Sequence, residues 1–242
     1  MTEDVARSKA VVLMMHVLDW AYDQATSGAV ELAESYRKTS GGDPEKGIDN
    51  LIARHISYAG ALGFATNVGG VVTMPITIPL NISSVLTIQM RMIAAIAHLR
   101  GYSIQDKKVK TLVFICLTGA GAVSVLQEFG LRVGARLTTR LMARISARSL
   151  TNINRAVGYR LLARLGARGS VGLVKALPVL GGLIGGAFDA GVTLGIGKAA
   201  RKVFHPLYEP DFRELNVPLL PPRSKTRLSS GRATRRLRLA AI

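Results

Sequence analysis

The fold of this chain is decided by residues 56–101, ISYAGALGFATNVGGVVTMPITIPLNISSVLTIQMRMIAAIAHLRG. Between Arg54 and Arg91 the sequence contains no Asp, Glu, Lys or Arg, although the chain has a formal net charge of +17. A gap of this length in so basic a chain indicates a segment that is buried, either in the core of a soluble bundle or as a re-entrant element in a bilayer.

The stretch is interrupted once by two prolines, in the run PITIP at 75–79. Because proline lacks a backbone N–H and disfavours a helical residue before it, this run predicts a kinked connector. We therefore expect two apolar helices, at about 55–73 and 81–99, that pair as a hairpin buried on nearly all sides.

Composition indicates a helical protein. Hydrophobic residues make up 48% of the 242 residues and aromatic residues only 5%, so the apolar surface comes from Ala, Val, Leu, Ile and Gly. We predict an all-α fold, a compact helical bundle around the hairpin, as residues 1–212. Residues 213–242 are predicted to be a proline-punctuated linker and a disordered arginine-rich tail.

Helix signals flank the hairpin on both sides. A first helix at about 3–26 has an apolar face that we expect Trp20 to anchor, and a second covers 29–38. Asp43 before Pro44 marks the start of the helix that enters the hairpin.

After the hairpin, Ser103 and Asp106 resemble a capping box and predict a helix from about Ile104. Residues 111–127 are uncharged and read as one buried core helix, in which Cys116 is a small buried hydrophobe. A single cysteine excludes a disulfide framework.

One face of the first helix carries His16, Asp19 and Asp23. These are too few ligands for a metal site, and no second cluster accompanies them, so we predict neither a metal nor a cofactor.

Arginine is the only charged residue type from 131 to 169. Arginines at strict i, i+4 spacing, opposite Leu and Val, predict a basic amphipathic helix of the kind that contacts membrane surfaces or partners. The alternative is a solvated face, or arginines paired with acids elsewhere in the fold. The candidate contacts to an anionic surface are Arg132, Arg136, Arg140, Arg144 and Arg148.

Residues 171–204 form a second glycine-rich element. Glycines four residues apart (181 and 185, 182 and 186), with a further small-residue row at 187–199, predict close approach of another helix. Asp189 lies inside this apolar helix and needs a partner, for which an arginine such as Arg91 is suitable.

Three motifs occur in order: Leu18-Asp19-Trp20-Ala21-Tyr22-Asp23, the run from Thr66 through Asn81 to Ile96, and Leu177 to Asp189. Together they resemble the bacterial EcsC family over roughly residues 10–204. That family is named for a protein encoded with an ABC transporter, so the resemblance implies a helical fold and a link to membranes. It brings no catalytic residues, and it does not explain the arginine-rich tail.

The motifs of common enzymes are absent from the sequence: GxxxxGK[ST], GxGxxG after a strand, HExxH, CxxC and GxSxG. The absence of these motifs favours a binding protein over an enzyme. The alternative is a hydrolase with a pocket at 67–89. The residues predicted to line a ligand or lipid site are Asn67, Gly69, Gly70, Thr73, Pro75, Thr77, Pro79, Asn81, Gln89, Arg91 and Asp189.

We expect the protein to lie on the cytoplasmic side of a cell membrane, peripheral or partly embedded, because no secretion signal is evident. The expected partner is anionic lipid or a membrane protein such as a transporter. Nucleic acid or an acidic protein is the alternative, but the few aromatic residues do not support base stacking.

Overall fold

The structure, a computed structural model, describes residues 2–68, 74–131, 145–170 and 178–206. Within these ranges every regular element is helical and no strand occurs, which confirms the all-α prediction. The α-helices are α1 (Thr2–Thr26), α2 (Ala29–Thr39), α3 (Pro44–Val68), α4 (Met74–Leu99), α5 (Lys107–Cys116), α6 (Ala122–Glu128), α7 (Ala147–Ser170) and α8 (Pro178–Val203).

Local capping sets several helix boundaries. The Asp43 carboxylate accepts from the backbone N–H of Glu45 at 2.9 Å, so α3 begins at Pro44 and continues into the apolar hairpin. The α5 start is later than predicted, because Asp106 is itself the N-cap and accepts from the Lys108 N–H at 2.8 Å.

The prediction of one helix over residues 111–127 is wrong. Gly119 adopts a φ of 61°, a left-handed conformation that a helix interior does not accommodate. The chain therefore turns between α5 and α6, through a short 3₁₀ segment at Gly119–Gly121. Burial of the α5 side is confirmed, since Cys116 is fully buried.

The prediction that the PITIP run is a connector is also wrong, because α4 begins at Met74 and contains both prolines. Pro75 lies in the first turn and is compatible with a helix, because the N–H it lacks would have no intrahelical partner there. Pro79 lies in the second turn, where its missing N–H removes one intrahelical hydrogen bond without ending the helix. The hairpin connection is therefore confined to residues between Val68 and Met74, outside the described residues.

The second half of α4 is the centre of the core. Its side chains from Met92 to Ala97 are fully buried, and α1, α2, α3, α5 and α8 all pack against this helix. The α1 helix covers α4 with Leu18 and Ala21. Trp20 does not anchor this contact as predicted, because it lies on the outer side of α1 and is 54% exposed.

Hydrogen bonds show how α3, α4 and α8 run relative to one another. Gln89 of α4 bonds to Thr193 of α8, and Arg100 after α4 bonds to Phe204 after α8, so these two helices run parallel. Arg100 also bonds to Glu45 at the start of α3, so α3 runs antiparallel to both. We call the end of this packing near Glu45 the charged end. The opposite end is called the uncharged end, because its described residues, 55–68, 74–90 and 178–188, contain no Asp, Glu, Lys or Arg.

The predicted close approach of a helix to the glycine row is confirmed between α3 and α8. A Cβ on Gly186 would lie 2.7 Å from the Gly60 carbonyl oxygen, and one on Gly63 would lie 2.9 Å from the Gly185 carbonyl oxygen. The further row at 187–199 does not act in this way, because a Cβ on Gly191 would meet nothing within 4 Å.

Candidate functional site

Most of the predicted hairpin site lies where side chains are not described. Gly69, Gly70 and Thr73 fall in the gap at 69–73, outside the described residues. Helical backbone is described, without side-chain positions, for the following: Asn67, Pro75, Thr77, Pro79 and Asn81. A pocket formed by these residues stays a prediction.

Gln89 is described, and it lies in the core. It is 1% exposed, and its Nε2 donates to the Thr193 hydroxyl at 3.2 Å. Thr193 is fully buried and was not singled out by sequence, because it is 104 residues from Gln89. The pair links α4 to α8 and satisfies two polar groups that would otherwise be costly to bury.

Asp189 and Arg91 are both described but have different surroundings. Asp189 is 3% exposed and faces α3, where a Cβ on Gly63 would lie 2.5 Å from its Oδ2. The Arg91 guanidinium donates to the carbonyl oxygens of Gln24 at 3.2 Å and Ala25 at 3.4 Å. Arg91 therefore satisfies the last turn of α1, where helical carbonyls lack intrahelical partners.

A cluster of four charges closes the charged end. Arg100 is 5% exposed and donates to the Phe204 carbonyl oxygen at 2.8 Å and to Glu45 Oε2 at 2.6 Å. Arg201 donates to the same Glu45 oxygen at 3.0 Å and to Asp49. The cluster joins α3 to the end of α8, and its role is structural.

The predicted arginine row is only partly described. Arg132, Arg136, Arg140 and Arg144 lie outside the described residues, whereas Arg148 is exposed. The expectation that all five share one helix is wrong. Residues 145 and 146 are not helical, and the Ser146 hydroxyl accepts from the Ser149 N–H at 3.1 Å, which starts a separate helix, α7.

Farther along α7 the arginines divide into two kinds. Arg155 is exposed, and Arg160 pairs with Glu128 of α6. The alternative that some arginines are paired within the fold is therefore confirmed for Arg160.

Lys110 neutralises the polar face of α1. Its ammonium lies 2.9 Å from Asp19 and 3.9 Å from Asp23, and 5.0 Å from the centre of the Tyr22 ring. The imidazole of His16 lies 2.9 Å from the Val12 carbonyl oxygen. Within the described ranges, no three His, Cys, Asp or Glu side chains are grouped so that they could hold a metal ion.

An exposed apolar surface lies along α3 and α8 towards the uncharged end. We call it the α3/α8 face, and it comprises Phe64, Leu183, Ile184, Phe188 and Leu194, with exposures between 38% and 57%. The two helices meet directly beneath it, because a Cβ on Gly186 would lie 3.3 Å from the Phe64 Cβ.

Basic and aromatic groups lie near the level at which this face ends, on the side of the charged end. Arg54 of α3 donates to the Tyr58 hydroxyl at 3.1 Å, and its guanidinium lies 4.8 Å from the centre of that ring. Lys198 of α8 is exposed. Ile52 packs against Gly197, so the borders on the two helices lie within about one helical turn of each other.

His55 is the buried imidazole of α3, at 5% exposure. Burial lowers its pKa below the ordinary value, the Leu51 carbonyl oxygen at 2.8 Å opposes this, and the charge of Arg91 adds to the lowering. Burial disfavours the charged form of Tyr102 as well, and here it raises the pKa, to about 12. Its hydroxyl donates to the His205 carbonyl oxygen at 2.8 Å.

None of the helices in the described part of the chain combines the length and the apolar character needed to cross a membrane.

The family model of the EcsC protein family matches residues 9–206 of the chain. No curated protein and no solved structure matches. The match covers all described helices except the first residues of α1.

Proposed function

The chain belongs to the EcsC protein family, and we propose that it works at a membrane surface, where it binds anionic lipid through exposed basic side chains. The observation that carries the proposal is the excess of positive charge over acids that could neutralise it. The chain contains 32 Lys and Arg residues against 15 Asp and Glu residues.

Many of those acids are already engaged within the fold. Described ion pairs occupy six carboxylates: Asp19, Asp23, Glu34, Glu45, Asp49 and Glu128. Exposed arginines such as Arg148 and Arg155 are therefore left to attract anions from outside the chain. Each basic group near an anionic membrane surface contributes about 1 kcal/mol of attraction, which salt weakens.

Co-sedimentation with vesicles tests this proposal. The full chain is mixed with neutral phosphatidylcholine vesicles or with vesicles that also contain phosphatidylglycerol, at low salt. We expect sedimentation with the anionic vesicles only. Protein that stays in the supernatant with both would contradict the proposal.

Because these vesicles contain no other protein, the same assay distinguishes binding to lipid from binding to the other partners that the positive charge would attract. Binding to the vesicles shows that lipid suffices without a membrane protein such as a transporter. Short duplex DNA is the control for a purely electrostatic nucleic-acid binder, which would show steep salt dependence and no sequence preference. DNA binding that survives physiological salt, with no vesicle binding, would favour that alternative.

A pair of substitutions tests whether the exposed arginines of α7 contact the lipid. Arg148→Gln with Arg155→Gln removes two exposed charges, whereas Arg37→Gln removes an arginine that pairs with Glu34. We expect the first variant to bind anionic vesicles about tenfold more weakly or worse, and the second to bind nearly as the wild type.

A further inference from the structure

We propose that the α3/α8 face enters one leaflet of the bilayer, with hydrocarbon chains covering it. This inference rests on the proposed function, since it requires membrane contact, and it adds the surface and orientation of that contact. The basic residues first attract the protein to the membrane. The α3/α8 face then attaches it there in a way that salt does not reverse.

The first support is the exposure of large apolar side chains on one side of α8. Leu183 is 57% exposed, Phe188 46%, Ile184 40% and Leu194 38%. With the exposed Ala187 and Gly191, Leu183 and Leu194 form a row with steps of four, four and three residues, which places them on one stripe of the helix. Ile184 and Phe188, four residues apart, lie beside that row. Phe64 extends the stripe onto α3 at 41% exposure. A contiguous exposed apolar surface of this kind marks a site of interaction.

The second support is the absence of charge from the surface that would enter. The sequence contains no charged residue between Arg54 and Arg91, and only Asp189 between Lys175 and Lys198. Asp189 is 3% exposed and lies on the side of α8 that faces Gly63. Hydrocarbon covering the α3/α8 face would therefore not have to accept an ionised group, which is the largest cost of membrane insertion.

The third support is the depth of the face. From Leu183 to Leu194 the helix rises roughly 16 Å at 1.5 Å per residue. One leaflet of a bilayer has a hydrocarbon thickness of about 15 Å, half of the whole core. The face is thus matched to a single leaflet.

The fourth support is the border at which the face ends. Arg54 stacks on Tyr58, and Lys198 is exposed at nearly the same level of α8. Aromatic rings with polar tips and long basic side chains are the residues that lie at the headgroup level of membranes. The border therefore predicts where the headgroups of the leaflet meet the protein.

A second copy of the chain is the other occupant that an apolar face could take. The net charge of +17 disfavours it, because two copies repel each other, and the same charge attracts an anionic leaflet. Lys198, at the end of the face, has the same sign on each copy and complements anionic headgroups instead.

Tryptophan fluorescence tests the orientation, because the chain contains a single tryptophan. Trp20 is exposed on α1, which packs mainly on α4 and α7 and lies away from the α3/α8 face. The variant W20F/F188W moves the probe to the centre of the face, and W20F/F64W moves it to the α3 side. Both positions are already aromatic and exposed, and circular dichroism checks that each variant is folded.

The measurement is quenching by phosphatidylglycerol vesicles whose acyl chains carry bromine. We expect the emission of W20F/F188W and W20F/F64W to shift to shorter wavelength and to fall by about half, as for side chains inserted 5–10 Å below the headgroups. The emission of the wild type, from Trp20, should change little.

The outcomes separate this inference from the proposed function. Sedimentation without quenching of either variant would leave the lipid-binding function standing and overturn the insertion of the α3/α8 face. Quenching of Trp20 alone would overturn it too, by placing α1 against the bilayer. A blue shift without lipid, with a dimer mass in solution, would assign the face to a second copy. Failure to sediment at all would remove the proposed function itself.

Discussion

The same three helices, α3, α4 and α8, end in opposite chemistry at their two ends. At the charged end, Arg100 and Arg201 bridge to Glu45 and Asp49, and Arg100 also bonds to the Phe204 carbonyl oxygen. Towards the uncharged end the helices are packed through glycine, and Phe64 and the exposed apolar side chains of α8 lie at the surface.

At the charged end, carboxylates of the chain are paired with arginines of the same chain. Towards the uncharged end, large apolar side chains are left in contact with solvent. The charged end neutralises its own carboxylates and satisfies the carbonyl groups at the α8 terminus. Towards the uncharged end the described contacts between α3 and α8 are made through glycine, and the exposed apolar surface gains free energy when water is removed, about 25 cal/mol for each Å² buried. The predictions below test each end in turn.

The largest effect on stability is expected at Arg100. Arg100→Met keeps a long side chain but leaves Glu45 Oε2 and the Phe204 carbonyl oxygen without this donor, and we expect a loss of about 3 kcal/mol in the free energy of unfolding. Urea denaturation measures it. The matched control is Arg37→Met, whose pair with Glu34 is exposed, with an expected effect below about 0.5 kcal/mol. Equal effects for the two would refute the structural role of the cluster.

The next effect is at the α3–α8 contact. Gly186→Ala places a Cβ 2.7 Å from the Gly60 carbonyl oxygen, so the helices must separate, at a cost of about 2 kcal/mol. Gly191→Ala on the same helix meets nothing and should stabilise by about 0.5–1 kcal/mol, because alanine is the better helix former. Thermal unfolding of the two variants gives the comparison. A stabilising Gly186→Ala would show that the contact is looser than described.

A smaller effect is expected between the two ends, at the Gln89–Thr193 hydrogen bond. Thr193→Val leaves the buried Gln89 amide without this acceptor and should cost about 1–2 kcal/mol. Replacing both partners, as Gln89→Leu with Thr193→Val, should cost less than the sum of the single changes, because no polar group remains unpaired. A double-mutant cycle in urea measures this coupling, and strict additivity would contradict it.

The smallest effect is a pH dependence from His55, on α3 between the two ends. Burial lowers its folded-state pKa, so below the unfolded value of about 6.5 the unfolded chain binds more protons than the folded one. Stability should therefore fall as pH drops through this window, until the folded-state pKa is passed. His55→Gln should reduce the slope of unfolding free energy against pH. An unchanged slope in His55→Gln would contradict this assignment.

Local patterns predicted the uncharged end better than the charged end. The charge gap and the glycine spacing at 181–186 are both visible within a few turns of sequence, and they predicted the apolar helices and the α3–α8 contact. The Arg100 cluster was missed because Arg100 and Phe204 are 104 residues apart and look separately like ordinary helix ends.

The errors came from competition between local signals and the tertiary fold. Pro75 predicted a connector, yet a proline in the first turn of a helix leaves no intrahelical N–H unpaired. Because of its size, Trp20 was expected to anchor the apolar face of α1. Instead α1 packs small residues such as Ala21 against α4, and Trp20 lies on its outer side. Its exposure has no sequence signal, because it depends on which face of α1 the bundle covers.

The measurement that tests the difference between the two ends most directly is a high-salt wash of protein bound to phosphatidylglycerol vesicles. The variant Ile184→Glu with Phe188→Glu charges the α3/α8 face, and Val12→Glu with Leu13→Glu charges similarly exposed positions on α1 as the matched control. We predict that the wild type and the α1 variant remain bound after the wash, and that retention of the α3/α8 variant falls about tenfold or more. Equal retention of both variants would contradict the account, because the α3/α8 face would then not be the part of the protein that enters the membrane.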